Sequence, residues 1–431
     1  MEICGRWDLM AIGFGSYEVA KSGLFVNERA LNVTGHNISN MNTPGYVRQQ
    51  AMIANAQYQT LQGKNGFYQL GLGADVQQIR QIRNHFLDIM YRKENMSLGY
   101  WEAKYKTIQD IEAVLGDPME KGLQNAMNQF WDSWHELAKE PESLTVRAIV
   151  RQRGEALVNT INHMGEQIDK LQRDLSSEIA IRIDEVNNIG SKIAELNTVI
   201  HKYEASGGIA NDYRDRRNYL VDQLTRLVNA DITETQEGQF LVTIDGYVIV
   251  NRERNINLCL EQSTKGEIWH IPKIEGLEID IPLKNGTLKG LIDSMDEVEE
   301  IRSMLNNLVN TMAVEVNNLH KSGKTMENSP QDGEDFFIAI RPGHIAGLGN
   351  IKLNDNLADL NNIAASKSGK SGDNTIALEI ANLRHNSLIA DDTGVLSMDE
   401  YYQTIILKIA QRGNQASNIS KNQYSLLQAS D

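Results

Sequence analysis

Residues 157–200 read "LVNTINHMGEQIDKLQRDLSSEIAIRIDEVNNIGSKIAELNTVI", a run in which apolar side chains recur every three or four positions. From Leu157 to Ile200 the stripe takes twelve steps over 43 residues, an average of 3.58. This is the α-helical period, and no proline interrupts it. A helix of this length is roughly 65 Å long. It cannot bury its stripe inside a small globule, so we predict that it lies along other long helices.

Further stripes supply the partners of this helix. The same spacing runs from Leu291 to Leu319, and another stripe begins at Ile406 in a helix predicted over about 398–427. Residues 84–116 also have a helical pattern. Because these segments are far apart in sequence, we predict an elongated multi-helix bundle built from discontinuous segments.

The periodicity changes between the helical stripes. Apolar and polar residues alternate in residues 238–271, where Phe240, Val242 and Ile244 share one strand face. Asp245-Gly246 is a two-residue hairpin signal. We therefore predict a small β domain over 228–285, and an irregular, turn-rich segment over 322–380.

The predicted fold class is mainly α with inserted β, as an elongated multi-helix bundle plus a small β domain. The predicted division of the chain is 1–60, an N-terminal axial segment with an incomplete terminal-helix domain; 61–227, the first part of the helical bundle; 228–285, the inserted β domain; 286–321, the second part of the bundle; 322–380, the turn-rich irregular or β segment; and 381–431, the last part of the bundle.

Composition excludes several classes of protein. The 431 residues carry a net charge of −15, which argues against a general nucleic-acid or anionic-membrane surface. The sequence contains no run of 18 apolar residues that would predict a membrane-spanning helix. Its first residues lack the basic region of a cleaved signal peptide. Composition alone thus favours a cytoplasmic protein. Cys4 and Cys259 cannot form a disulfide framework.

The sequence contains none of the common catalytic or metal-binding motifs. It contains no P-loop, no His-Glu-x-x-His and no Cys-x-x-Cys, and its nine histidines are scattered. We therefore predict no catalytic residue, no cofactor and no metal site. Trp131 and Trp134, three residues apart, indicate a core aromatic pair. The segment "DYRDRR" at 212–217 is either a solvated, ion-paired helix start or, less often for such a pattern, an anion site.

Residues 30–50, "ALNVTGHNISNMNTPGYVRQQ", form a second notable motif. Its asparagines are poor helix-interior residues, and their amides are better used to bond a neighbouring subunit or the local backbone. Thr43-Pro44-Gly45 ends the helix, because Pro44 favours an extended Thr43 and Gly45 permits a tight turn. An extended arm then follows. From physics alone, an ordinary amphipathic helix and turn is an equally good interpretation.

This motif closely resembles the N-terminal signature of bacterial flagellar axial proteins, the rod, hook and hook-associated proteins. Other stretches resemble the hook-associated protein 1 family in particular, which forms the hook–filament junction. They are "FWDSWHELAKEPESLTVRAIVRQRGEALV" at 130–158, "NDYRDRRNYLVDQLTRLVNADI" at 211–232, "GTLKGLIDSMDEV" at 286–298 and "GDNTIALEIANL" at 372–383. The likeness covers residues 16 to 431, and the ordered series is more specific than any single motif.

The resemblance implies a structural, non-enzymatic protein that joins the hook to the filament-side hook-associated proteins by head-to-tail self-assembly. It implies export by the flagellar type III apparatus without a cleaved signal peptide, hence an extracellular place at the hook–filament junction instead of the cytoplasm. The implied partners are further copies of the chain, the hook protein, the next hook-associated junction protein and an export chaperone. The implied subunit-interface residues are Asn37, Asn40, Asn42, Thr43, Pro44, Gly45 and Tyr46.

Two departures from the family pattern and two alternatives remain open. Family members end in a second amphipathic segment that pairs with the N-terminal helix, whereas this sequence stops at "NQYSLLQASD"; we expect a shortened chain. Residues 1–9 precede the expected start, so Met10 is a candidate initiator. The alternatives are a hook or distal-rod protein, whose relatives are mostly β outside the terminal helices, and a non-flagellar coiled-coil binding protein.

Overall fold

A single long helix organises the structure. The computed structural model of the chain describes residues 5–63, 66–116, 122–235, 237–262, 269–277, 280–326, 330–391 and 394–430. Helix α4, Leu144–Glu204, has 61 residues, and the Ser143 side chain caps its start by accepting from the Val146 amide. The helix spans roughly 90 Å. Its stripe is buried along its whole length, and Leu157 and Ile200 are fully inaccessible. The predicted helix is confirmed and is longer than its stripe.

Three more long helices complete the bundle. They are α2 (His85–Leu115), α6 (Gly286–Ser322) and α8 (Met398–Ser430). Helix α2 packs against both α6 and α8, and α6 packs against α4. Leu171 of α4 and Leu305 of α6 belong to one hydrophobic core. A mainly α fold with a bundle assembled from distant segments is therefore confirmed.

Two shorter helices flank α4. They are α3 (Leu123–Lys139) and α5 (Asn211–Leu227). On α3, Trp131 and Trp134 are almost completely buried, at 1% and 0% exposure. The Trp134 ring packs against Phe336 at 5.5 Å between centroids. The interpretation of the two tryptophans as a core pair is confirmed.

The predicted β insertion follows α5. Strands β5 (Ala230–Glu234), β6 (Phe240–Ile244), β7 (Tyr247–Asn251) and β8 (Arg254–Asn255) form one antiparallel sheet in chain order. Strands β9 (Leu258–Gln262) and β10 (His270–Ile274) form a separate pair. The β6–β7 turn has φ of 48° at Asp245 and 87° at Gly246, the left-handed pair that a tight hairpin requires.

The segment after α6 contains short elements. They are β11 (Phe337–Ile338), β12 (Lys352–Leu353), 3-10 turns at Asp355–Ala358 and Leu360–Asn362, α7 (Thr375–Asn382), a 3-10 turn at Leu383–His385, β13 (Ile389–Asp391) and β14 (Gly394–Leu396). The last part of the bundle was predicted over 381–431, but its helix begins only at Met398. A β13–β14 hairpin, in which Asp391 pairs with Gly394, precedes it. Whether the six predicted segments are folding units stays a prediction.

The N-terminal part differs most from the prediction. Helix α1 (Gly5–Asn40) is followed by β1 (Gln49–Asn55), β2 (Tyr58–Gly63), β3 (Gly66–Gly71) and β4 (Ala74–Gln81). The prediction of bundle over 61–227 is thus wrong before His85. These strands are rich in glutamine and contribute nothing to the described hydrophobic core, so they show no apolar alternation that reveals a strand.

A buried amide fastens the β insertion to α4. Asn197, fully inaccessible, donates to the carbonyl oxygens of Phe240 (2.9 Å) and Arg252 (2.8 Å). Its Oδ1 accepts from the Phe240 amide at 3.0 Å and from Nη1 of Arg217 at 2.8 Å. The Arg217 guanidinium lies over the Phe240 ring, 3.6 Å from its centroid. One side chain of α4 therefore bonds α5, strand β6 and the β7–β8 turn together.

We expect Asn197→Ala to lower the free energy of unfolding by on the order of 3 kcal/mol, because it leaves buried backbone groups without partners and removes one hydrogen bond of the buried Arg217 guanidinium. Urea unfolding followed by circular dichroism measures the change. Glu195→Ala, two residues away on the exposed face of α4, is the control and is expected to change stability by less than ~0.5 kcal/mol. Equal midpoints for the two variants would contradict the role of Asn197.

Candidate subunit-interface segment

The motif residues form the turn between α1 and β1. Thr43 N donates to Asn40 O at 2.8 Å, and Tyr46 N donates to Thr43 O at 3.1 Å, so the chain reverses immediately after α1. Gly45 has φ of +77° and lies against Tyr219 of α5, where a Cβ would come within 2.6 Å of the tyrosine Cβ. Both its backbone conformation and the space around it therefore require glycine.

Asn37 ties α1 to the first strand. Its Nδ2 donates to Gln49 O and its Oδ1 accepts from Gln49 N, both at 2.9 Å. The amide side chain thus forms the paired bonds that a neighbouring strand residue would make. Oδ1 also accepts from the Tyr46 hydroxyl at 2.7 Å, and His36 Nδ1 lies 2.9 Å from the same hydroxyl.

Asn40 closes the end of the helix. Its Nδ2 donates to His36 O at 3.0 Å and its Oδ1 accepts from the Thr43 hydroxyl at 3.3 Å. The amides of Asn37 and Asn40 are therefore bonded within the chain, which is the local-backbone alternative and not the neighbouring-subunit one. Asn42 and Pro44 lie exposed on the turn. An interface role for the seven motif residues stays a prediction.

Polar contacts join this segment to the first turns of α5. Asp215 Oδ2 accepts from Val47 N at 3.1 Å, and its Oδ1 accepts from Gln81 Nε2 at 2.5 Å. Asp212 Oδ1 accepts from Gln49 Nε2 at 2.8 Å. We call this contact the α5 junction. Burial raises the pKa of Asp215 to about 7; the Asp212 charge adds to the rise, while the Val47 amide and Arg83 oppose it.

The first turns of α5 contain buried charged residues that sequence reasoning missed. The "DYRDRR" pattern was read as a solvated helix start or an anion site, yet Asp215 is 5% and Arg217 1% exposed. Arg217 is bonded to Asn197 and to Gly238 O, so it holds the β insertion. The density of charges was visible in the sequence, but the partners that bury these charges lie at distant positions.

Helix α1 has two different faces. Val26 and Val33 are buried, and the helix packs on β1 and β4. Another line of side chains is exposed, at 64–72% each, with a spacing of seven residues: Tyr17, Leu24, Leu31 and Ile38. A seven-residue repeat places these side chains on one line along the helix, as one of the two apolar positions of a coiled-coil seam does. We call it the α1 stripe.

The described residues offer little for chemistry. Among them, no cluster of three His, Cys, Asp or Glu side chains is arranged to hold a metal ion. Within the same part of the chain, every helix is too short or too polar to cross a membrane. What the segment presents is an apolar stripe, an exposed turn and a polar junction.

Comparison with protein families gives two matches. Residues 108–337, more than half of the chain, match the family described as flagellar hook-associated protein FlgK helical domain. Residues 18–46, which include the turn, match the family described as flagella basal body rod protein.

Individual proteins agree with these matches. The chain is similar to flagellar hook-associated protein 1 of Bacillus subtilis, 27% identical over 462 residues, which cover 98% of this chain and 90% of that protein. It is 26% identical to the protein of the same name from Escherichia coli, over 82% of this chain and 66% of the relative. The chain thus spans most of the first relative but only about two thirds of the second.

A solved structure has the same fold. It is that of the flagellar hook junction protein FlgK from Burkholderia pseudomallei, with a TM-score of 0.67 and 13% sequence identity. The alignment covers 80% of this chain and 98% of the solved one.

The pKa of Asp215 predicts how the α5 junction responds to pH. In the closed junction this pKa is about 7, against an ordinary value of 3.8. With the Asp215 hydrogen bonds formed, the junction therefore binds a proton more tightly than when they are broken. The free energy that holds the junction together increases as pH falls from 7 towards 4 and decreases as pH rises. We expect the opening constant of β1 and β4 amides, from hydrogen exchange corrected for intrinsic rates, to rise by up to tenfold per pH unit between about 4 and 7.

Asp215→Asn is expected to flatten this dependence, since an amide does not titrate. Asp184→Asn, at an exposed carboxylate of α4, is the matched control and should retain it. Protection that increases with pH would show that the sign is wrong.

The exposed α1 stripe predicts fast exchange in a monomer. A helix that buries one narrow face on a two-stranded sheet has little tertiary packing to hold it. We expect amides of residues 17–40 to exchange at least ~100-fold faster than those in the middle of α4 in dilute solution. Equal protection of the two helices in a verified monomer would contradict this expectation.

Proposed function

The chain belongs to the family of the flagellar hook-associated protein FlgK, and on this premise we propose that it joins the hook to the filament-side hook-associated proteins by head-to-tail self-assembly. The family is a structural flagellar family and not an enzyme family. Membership places the chain on the flagellum, in assembly with other flagellar components. The head-to-tail geometry of the assembly and the identity of the neighbouring proteins are what we propose.

The α1 stripe is the observation that carries the proposal. Four large side chains at exact heptad spacing are left in water, while the opposite face of α1 is closed by the β strands. A second helix that packs along such a stripe would bury it. In the family that the chain resembles, the C-terminal amphipathic segment is this second helix. The paired helices of one copy then contact those of neighbouring copies.

The turn after α1 takes a positioning role in this scheme. Asn37, Asn40 and Tyr46 hold its shape through internal bonds. The exposed Asn42 and Pro44 remain free to meet a neighbouring chain. A head-to-tail contact joins two different surfaces, so it propagates or closes into a ring, and each subunit repeats the same turn.

The remaining partners follow from the family. They are the hook protein on one side, the next hook-associated junction protein on the other, and an export chaperone before assembly. Export by the flagellar type III apparatus without a cleaved signal peptide belongs to the same proposal. A hook or distal-rod protein is the alternative, and the 61-residue α4 speaks against it. Family membership argues against the non-flagellar binding protein.

Substitutions in the turn test this role. We expect Gly45→Val and Asn40→Leu to impair incorporation at the junction, because the first forces a left-handed φ on a branched residue against Tyr219. The second removes the bonds that close α1. The melting temperature should change by less than about 2 °C, since the bundle core excludes the turn.

Motility, filament retention and the melting curve of the purified protein are the measurements. Gly343→Val is the matched control: Gly343 has φ of +80° but no atom within 4 Å of its virtual Cβ. Normal filaments with both turn substitutions would reject the proposed role. Lost filaments together with a collapsed melting temperature would assign the turn to monomer folding instead.

A further inference from the structure

Strands β1 to β4 form one continuous two-stranded arm. The β1–β4 pairing, Gln49 with Gln81, passes into the β2–β3 pairing, Tyr58 with Gly71. Between them Ala56 N donates to Gly73 O at 2.9 Å and Leu72 N donates to Gln57 O at 3.1 Å. The base of the arm packs on α1. The outer half, β2 and β3, which we call the hairpin, extends about 20 Å further.

The hairpin has no packing of its own. Every side chain described in it is exposed, including Tyr58 (56%), Phe67 (75%), Tyr68 (55%) and Leu70 (45%). None of its described residues is charged or a proline, so neither edge carries the groups that prevent strand pairing. Because an isolated two-stranded sheet is marginally stable in water, this composition indicates a hairpin that is covered in use.

A second apolar surface lies at the base of the arm, where β4 leads into α2. Ile82, directly after β4, and the first turns of α2 expose a dense group of large side chains, at 41–66%: Ile82, Phe86, Leu87, Ile89 and Met90. Phe86, Ile89 and Met90 share one helix face at spacings of three and four. Single exposed apolar residues are normal, but five within nine residues are a patch of the kind that marks an interface. We call it the α2 patch.

We propose that the hairpin of one copy of the chain docks on the α2 patch of a neighbouring copy. Both surfaces stay exposed in the single chain, so they do not cover each other there. Two different surfaces on one chain make a head-to-tail contact, which propagates. The inference rests on the proposed head-to-tail assembly and assigns it a specific pair of surfaces.

Charge favours a second copy as the occupant. The first 84 residues contain seven basic and five acidic side chains, and the remaining 347 contain 35 and 52. The N-terminal segment is thus weakly positive, at +2, and the body strongly negative, at −17. Contact between the N-terminal segment of one copy and the body of the next brings opposite net charges together, whereas body-to-body contact brings like net charges together.

Site-specific disulfides test the contact. In a chain with Cys4→Ser and Cys259→Ser, Gln69→Cys places a thiol beside Phe67 without removing an apolar side chain, and Met90→Cys places one in the patch. Hook–basal bodies isolated from cells that express this double variant are oxidised and analysed by denaturing gel electrophoresis. The control pair is Gln69→Cys with Ile345→Cys, because Ile345 is 74% exposed in a different loop.

We expect a ladder of linked chains from the first pair and none from the control pair or from either single variant. Adding Phe67→Ser and Leu70→Ser should lower the linked fraction at least ~fivefold. Unlinked chains in bodies that contain the protein by immunogold labelling would overturn the docking and leave the head-to-tail proposal standing. A cysteine-free parent that is missing from the bodies would overturn the proposed function, and the docking with it.

Discussion

The apolar stripe of α4 is the constraint on which the rest of the structure depends. A helix of 61 residues exposes far more apolar surface than its own turns can cover. Helices α2 and α6, from distant parts of the chain, and the sequence neighbours α3 and α5 pack along it, while α8 packs on α2 and α6. The positions at which these helices begin and end determine where the connections between them lie, including the β insertion. Bundle and insertion therefore share one hydrophobic core.

Polar side chains on α4 set the position of each connection. Arg147 donates to the carbonyl oxygens of Pro141 and Ile363, and Asn162 donates to Ile351 O at 2.7 Å. Asn187 exchanges two bonds with Leu258, at 2.9 and 2.7 Å. Together with Asn197, they fix irregular backbone at four heights along one rigid helix. The three asparagine amides suit this task, because each offers both a donor and an acceptor to a backbone that lacks partners, whereas Arg147 offers donors only.

Local patterns were sufficient to predict one part of the fold. The period of α4 and the Asp245-Gly246 turn depend on nearby residues, and both were found where expected. The extended segment after Gly45 was predicted, but strands β2 to β4 were missed, because the described side chains of β2 and β3 face water and leave no alternation to detect. Asp215 and Arg217 looked like surface charges, since their burial depends on partners 20 or more residues away. The turn at Gly45 was recognised, but its clash partner Tyr219 was not visible in the sequence.

The helical bundle and the N-terminal segment, which consists of α1 and the arm, are stabilised by different kinds of interaction. Apolar burial stabilises the bundle, and the described core includes no residue of α1 or of the arm. The N-terminal segment is instead attached through hydrogen bonds to Asp212 and Asp215 of α5. Such bonds are worth about 1–3 kcal/mol each in net terms, because water replaces them when they open. The segment can therefore change its position without a loss of bundle stability, while its uncovered apolar surfaces gain most when another chain covers them.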